Sequence, residues 1–189
     1  GGRINTDAID NSAGVDCSDH EVNIKIAFSS EIASKKFTLE KRDVLLASMT
    51  DEVAELVLRD NILQTQALSI EQARGVKLID SQIRLIHQLE KLGLLDRLIE
   101  FLPNDKQLAE LKTAGKGLTR PELAVVLSYS KMARYNSLLE SNLPDDEYFV
   151  PDLKRYFPKA MRGEFVNSII AHPLRREIIA TLITNDIVN

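Results

Sequence analysis

Through most of the chain, apolar residues recur every three or four positions, the period of a helix that buries one face. Val53, Leu56, Val57 and Leu63 form one such stripe behind Thr50-Asp51-Glu52, where carboxylates meet the positive end of the helix dipole. Thr38 precedes a second segment with Leu39, Val44, Leu45 and Leu46. Ser69-Ile70-Glu71-Gln72 has the spacing of a capping box and predicts the start of a helix carrying Val76, Ile79, Ile83, Ile86 and Leu89. Gly93 ends that helix, and a short helix through Leu95, Leu98, Ile99 and Phe101 stops before Pro103. Thr119-Arg120-Pro121-Glu122 joins a Thr cap, a proline in the first turn and a Glu three residues after the cap, opening a helix with Leu123, Val126, Leu127 and Leu138.

Pro144, Pro151 and Pro158 then predict short helical turns. A helix around Phe165, Ile169 and Ile170 ends at His172-Pro173. A last one buries a wide face of Leu174, Ile178, Ile179, Leu182, Ile183 and Ile187. The start of the chain is different. Residues 1–18 are rich in Gly, Asn, Asp and Ser and predict a loop. Ser18-Asp19-His20-Glu21 reads as a capping box ahead of Val22, Ile24, Ile26 and Phe28; the two-residue spacing suits a strand, but the capped, acidic start favours a helix. The expected fold is predominantly all-α, with no internal repeat.

Composition narrows the function classes. The net charge of −4 leaves no basic footprint for nucleic acid, and Lys35-Lys36, Lys41-Arg42 and Arg175-Arg176 read as solvated helix faces. No apolar run is long enough for a membrane span, and no signal peptide is evident. The single cysteine, Cys17, excludes an internal disulfide and suits the cytoplasm. A start without Met and a stop inside a helical pattern at Ile187-Val188-Asn189 suggest a segment of a longer polypeptide.

Local chemistry is sparse. Gly115-Lys116-Gly117 has Glu110 where a phosphate-binding loop needs its first glycine and Gly117 where it needs Ser or Thr, so it reads as a helix-ending loop. No G-x-G-x-x-G occurs. Asp7, Asp10, Asp16, Asp19, His20 and Glu21 fail the calcium-loop register, and no metal site is expected. His87 and His172 lack a nucleophile at a recognisable spacing and read as packing or capping residues; Cys17 has no flanking motif.

The stretch Asp7-Ala8-Ile9-Asp10-Asn11-Ser12-Ala13-Gly14-Val15-Asp16-Cys17-Ser18-Asp19-His20-Glu21-Val22-Asn23 resembles the glutamate dehydrogenase superfamily, whose small members end the dinucleotide domain in Asn-Ala-Gly-Gly-Val-x-x-Ser. Ser12-Ala13 and Cys17 through Glu21 are similar to the large bacterial NAD-specific branch. So are Met49-Thr50-Asp51-Glu52-Val53 through Arg59-Asp60-Asn61, Leu118 through Val125, and His172 through Ile179.

The resemblance implies that residues 1–36 are the C-terminal strip of a Rossmann-type catalytic domain, contributing a loop and a helix. Residues 37–189 would be a truncated helical domain, orthogonal or bundle-like. It places Asn11 near the nicotinamide ribose of NAD, and Val15 and Ser18 in the pocket for the substrate's side-chain carboxylate. No catalytic residue of the family falls in this chain, because the lysine and aspartate that do its acid–base work lie upstream. The implied parent oxidatively deaminates L-glutamate to 2-oxoglutarate and ammonia. The chain alone would be inactive and would not hold NAD tightly, serving packing, assembly or regulation. Its partners would be the upstream catalytic domain of the same polypeptide and further copies in a homo-oligomer. The alternative is a stand-alone helical scaffold or adaptor.

Overall fold

A computed structural model describes residues 4–35 and 37–189, the side chain of Ser30 excepted. Gly1–Arg3, the head of the expected loop, and Lys36, second member of the Lys35-Lys36 pair, lie outside the described residues. Those residues form ten α-helices, a few 3-10 turns and no strand. The helices are α1 (Asp7–Asp10), α2 (Ser12–Ala33), α3 (Leu39–Ser48), α4 (Thr50–Arg74), α5 (Ile79–Lys91), α6 (Asp105–Thr113), α7 (Arg120–Leu139), α8 (Val150–Tyr156), α9 (Val166–Ile170) and α10 (Arg175–Val188). The all-α expectation holds.

Several local signals act as predicted. The Thr38 hydroxyl accepts from the Lys41 N–H at 3.3 Å and caps α3. At α7 the Glu122 carboxylate reaches back to the Thr119 N–H at 2.6 Å. Gly93 and Gly115 both adopt positive φ, +69° and +67°. Beside each, the N–H one residue further on bonds back to the last helical turn, Leu94 to the Leu89 carbonyl and Lys116 to that of Leu111, the Schellman pattern.

Five expectations give way. Residues 7–18 are mostly helical, since α1 and the start of α2 occupy them. Ser18 therefore caps nothing: it lies inside α2, and its hydroxyl donates to the Gly14 carbonyl at 3.1 Å. The expected box partner Glu21 pairs instead with Lys25. Ser69 likewise lies inside α4, donating to the Thr65 carbonyl at 2.8 Å, and the break comes later, at Gly75 with φ +51°. Residues 95–101 form turns rather than a helix, with Leu98, Ile99 and Phe101 turned to solvent. In α10 the buried face is narrower than expected, because Leu174 and Ile187 are exposed.

Two compact units share the chain, which passes between them within α2, α4, α7 and α10. One gathers Asn61–Arg134 with the first residues through Ser12 and with Ile187–Asn189. Its core joins Leu68, Ile86, Leu89, Leu108, Leu123 and Val126. Arg120 fastens its polar edge, donating to Asn5 at 2.6 Å, Ser69 at 3.0 Å and the Thr65 carbonyl at 3.1 Å. The other unit comprises Ala13–Asp60 and Tyr135–Asp186. At its centre Phe28, Phe37 and Phe165 stand 4.8–5.2 Å apart between ring centres, two of the pairs edge-on. Each such pair adds about 0.5–1.5 kcal/mol beyond area burial.

In the first unit the backbone of Gly117 crosses that of Gly75 so closely that a Cβ at 117 would sit 2.8 Å from the Gly75 carbonyl carbon. Backbone on both sides leaves nothing flexible to move aside. Gly117→Ala should therefore lower the unfolding free energy by about 1–3 kcal/mol. Gly163→Ala, with no heavy atom within 4 Å of the new methyl, should leave it nearly unchanged. Urea unfolding of both variants checks this, and equal stabilities would refute the close approach.

Candidate functional site

Helix α2 presents two unlike faces. Its inner face packs Ile24, Ala27 and Phe28 into the second unit's core. One to two turns earlier the same face carries polar groups. His20, 2% exposed, stacks on the Tyr156 ring at 4.3 Å between centres and 19° between planes. Asn23 donates its amide N–H to the Tyr156 hydroxyl at 2.8 Å. The Asn23 main-chain carbonyl lies 3.1 Å from His172 Nε2, while His172 Nδ1 accepts from the Leu174 N–H at 3.1 Å. An accepting Nδ1 fixes the neutral tautomer with its hydrogen on Nε2. His172 thus packs and caps at once, as its position before Pro173 predicts.

The outer face of α2 is open. Val15, 65% exposed, and Ser18 lie three residues apart and so on one side of the helix, with exposed Val22 continuing the line. Asn11 is the C-cap residue of α1, its side chain in solvent. The position of Ser18 changes its chemistry. It stands beyond the first turn, where the N–H groups are already spent within the helix. An anion there would meet the hydroxyl and not the free N–H groups of a helix start.

Burial sets the electrostatics of the inner face. It lowers the pKa of the His20 imidazole from 6.5 to about 4 and raises that of the Tyr156 phenol well above its usual range. His172 is lowered as well, also by burial, with the bond to the Asn23 carbonyl opposing. Asp16, one turn before His20 on α2, and Asp60 on α4 complete a cluster in which one ligand atom from each of the three lies within 4.8 Å of the others. A cation would find three donors there among the described residues, one fewer than a structural zinc takes. His20 Nε2 and the nearer Asp16 carboxylate oxygen are 3.8 Å apart, longer than a hydrogen bond. The i, i+4 spacing of Asp16 and His20 is legible in sequence; Asp60 and Tyr156 join only through the fold.

The family model described as the catalytic domain of bacterial NAD-glutamate dehydrogenase matches residues 1–71, and that of the glutamate dehydrogenase C-terminal region matches residues 115–189. The chain is 50% identical over 189 residues to an NAD-specific glutamate dehydrogenase of Pseudomonas aeruginosa, 46% to one of Mycobacterium tuberculosis and 44% to one of Halomonas elongata. Each match covers all of this chain and 12% of the relative. No solved structure matches. The chain belongs to the NAD-specific glutamate dehydrogenase family.

The His20 environment makes a pH prediction. A folded-state pKa below the unfolded one means that folding favours the neutral ring. That stability is whole above pH 6.5 and is lost as pH falls through 6.5 toward 4. The loss is on the order of 2–3 kcal/mol. His20→Phe keeps a ring on Tyr156 and removes the titration. Denaturant unfolding at pH 7 and 4.5 should show a smaller acid loss in the variant, the remainder coming from His172 and the carboxylates. Equal losses in both proteins would contradict the burial account.

Proposed function

We propose that this chain is part of a longer cytoplasmic, homo-oligomeric enzyme that uses NAD to deaminate L-glutamate oxidatively to 2-oxoglutarate and ammonia. In it residues 1–36 belong to the catalytic module, and the outer face of α2 forms one wall of the substrate pocket. The observation that carries this reading is the pair Val15 and Ser18, left open on one side of a helix whose other side is packed. The helices that follow serve packing, assembly or regulation.

Each residue has a definite part. The Ser18 hydroxyl holds one hydrogen, now given to the Gly14 carbonyl; rotation about its Cα–Cβ bond redirects that hydrogen to a carboxylate oxygen. Val15 offers an apolar surface to the methylenes between the two carboxylates of glutamate. The Asn11 amide, exposed at the end of α1, has a donor and an acceptor for ribose hydroxyls of NAD. When bound, NAD supplies the hydride acceptor. Asn11 is a small share of what a dinucleotide needs, and no glycine-rich phosphate turn accompanies it. The 189-residue chain by itself should therefore give no glutamate-dependent NADH; measurable turnover by it would be a contradiction.

The test is kinetic and uses the full-length enzyme. Ser18→Ala should reduce kcat/KM for glutamate about tenfold, the equivalent of one hydrogen bond to a charged group, roughly 1.4 kcal/mol. The KM for NAD should stay as in the wild type. Unaltered glutamate kinetics would remove Ser18 from the pocket, and absence of glutamate-dependent NADH formation in the wild type would remove the activity itself.

A further inference from the structure

The turn that follows α5 ties its polar side chains into hydrogen bonds and, between buried Leu95 and Leu102, leaves three large apolar side chains in solvent. The Asp96 carboxylate accepts from the N–H groups of Leu98 at 2.8 Å and Ile99 at 3.4 Å. Arg97 donates to Glu90 at 2.6 Å and to Asp105 at 2.7 Å. Glu100 accepts from the Tyr129 hydroxyl at 2.6 Å. Between these anchors Leu98 is 87% exposed, Ile99 69% and Phe101 90%. Phe101 also holds a φ of +54°, a conformation unfavourable for a bulky side chain. The chain thus accepts backbone strain where the aromatic ring leaves the surface, which collapse onto its own core would not require. Beside it runs a cleft of about 600 Å³ that Leu98, Phe101, Leu102, Pro103 and Leu111 help to line.

We propose that Leu98, Ile99 and Phe101 form a docking knob that seats in an apolar recess on the catalytic module of the same polypeptide. The occupant follows from two observations. This chain is only 12% of the length of each relative, so most of the polypeptide that can cover the knob lies outside it. The catalytic-domain match also runs through residue 71, and Leu68 of that matched stretch packs in the very core from which the knob projects. The stretch matched to the catalytic-domain model thus shares a core with the two residues, Leu95 and Leu102, that flank the knob. The Asp96, Arg97 and Glu100 anchors hold the turn in shape before docking, which reduces the ordering entropy of the contact.

The proposal rests on the chain being part of a longer glutamate dehydrogenase, and its test does not depend on activity. Leu98→Cys, Ile99→Cys and, as a control, exposed Lys106→Cys are introduced singly into the full-length protein. Maleimide labelling at each is timed by peptide mass spectrometry. Labelling at 98 and 99 at least tenfold slower than at 106, unchanged on dilution, is the expected result. Equal rates at the three positions overturn the knob. Slow labelling that disappears as the protein dissociates into single protomers assigns the contact to a second copy and overturns the intramolecular occupant. Persistent protection in a protein devoid of glutamate dehydrogenase activity leaves the knob standing while removing the functional reading.

Discussion

The structure around the proposed pocket depends on the burial of one side of α2. Phe28, fully buried, touches Phe37 and Phe165 through ring contacts, and Ile24 and Ala27 extend the same inner stripe. Burying a side chain of that size contributes about 1.5–3 kcal/mol, and truncating a core Phe to Ala typically costs 3–5 kcal/mol. Helix position is therefore fixed by packing, not by the short polar stretch that starts it. Once the inner face is held, the side from which Val15 and Ser18 project is determined, because the helical period leaves no independent choice.

Two kinds of polarity follow on the same helix. Inside, His20, Asn23, Tyr156 and His172 form a largely buried polar centre, with Asn23 serving Tyr156 by its side chain and His172 by its main chain. Such a centre is costly unless its members are neutral or satisfied, and the lowered pKa values of both histidines keep them uncharged near neutrality. Outside, Ser18 is solvated and its hydroxyl only loosely engaged, so it can exchange partners at small cost. A rigid inner side and an available outer hydroxyl together make a suitable wall for a charged substrate.

The all-helical class and many of the ends were legible in the sequence, because periodicity, the Thr38 and Thr119 starts and the Gly93 and Gly115 stops are local signals that need no tertiary help. The capping boxes at Ser18 and Ser69 misled for a common reason: a Ser with an acidic or amide residue three positions on also occurs inside a helix, where its hydroxyl bonds back to the preceding turn. The Asn- and Gly-rich start looked like a loop, yet Ile9 is buried in the core of one unit and fastens a short helix there. At the site, Val15 and Ser18 stood out only through the resemblance to the family motif. The His20 cluster was out of reach, since Asp60 and Tyr156 come from distant parts of the chain.

In the proposed function the outer face of α2 meets the substrate. A structure of the full-length protein with NAD and 2-oxoglutarate bound tests this contact. A carboxylate oxygen of the ligand should lie within hydrogen-bond distance of the Ser18 hydroxyl, with Val15 in van der Waals contact with its methylenes. A ligand seated away from α2, with Ser18 still donating to the Gly14 carbonyl, would remove this face from the pocket.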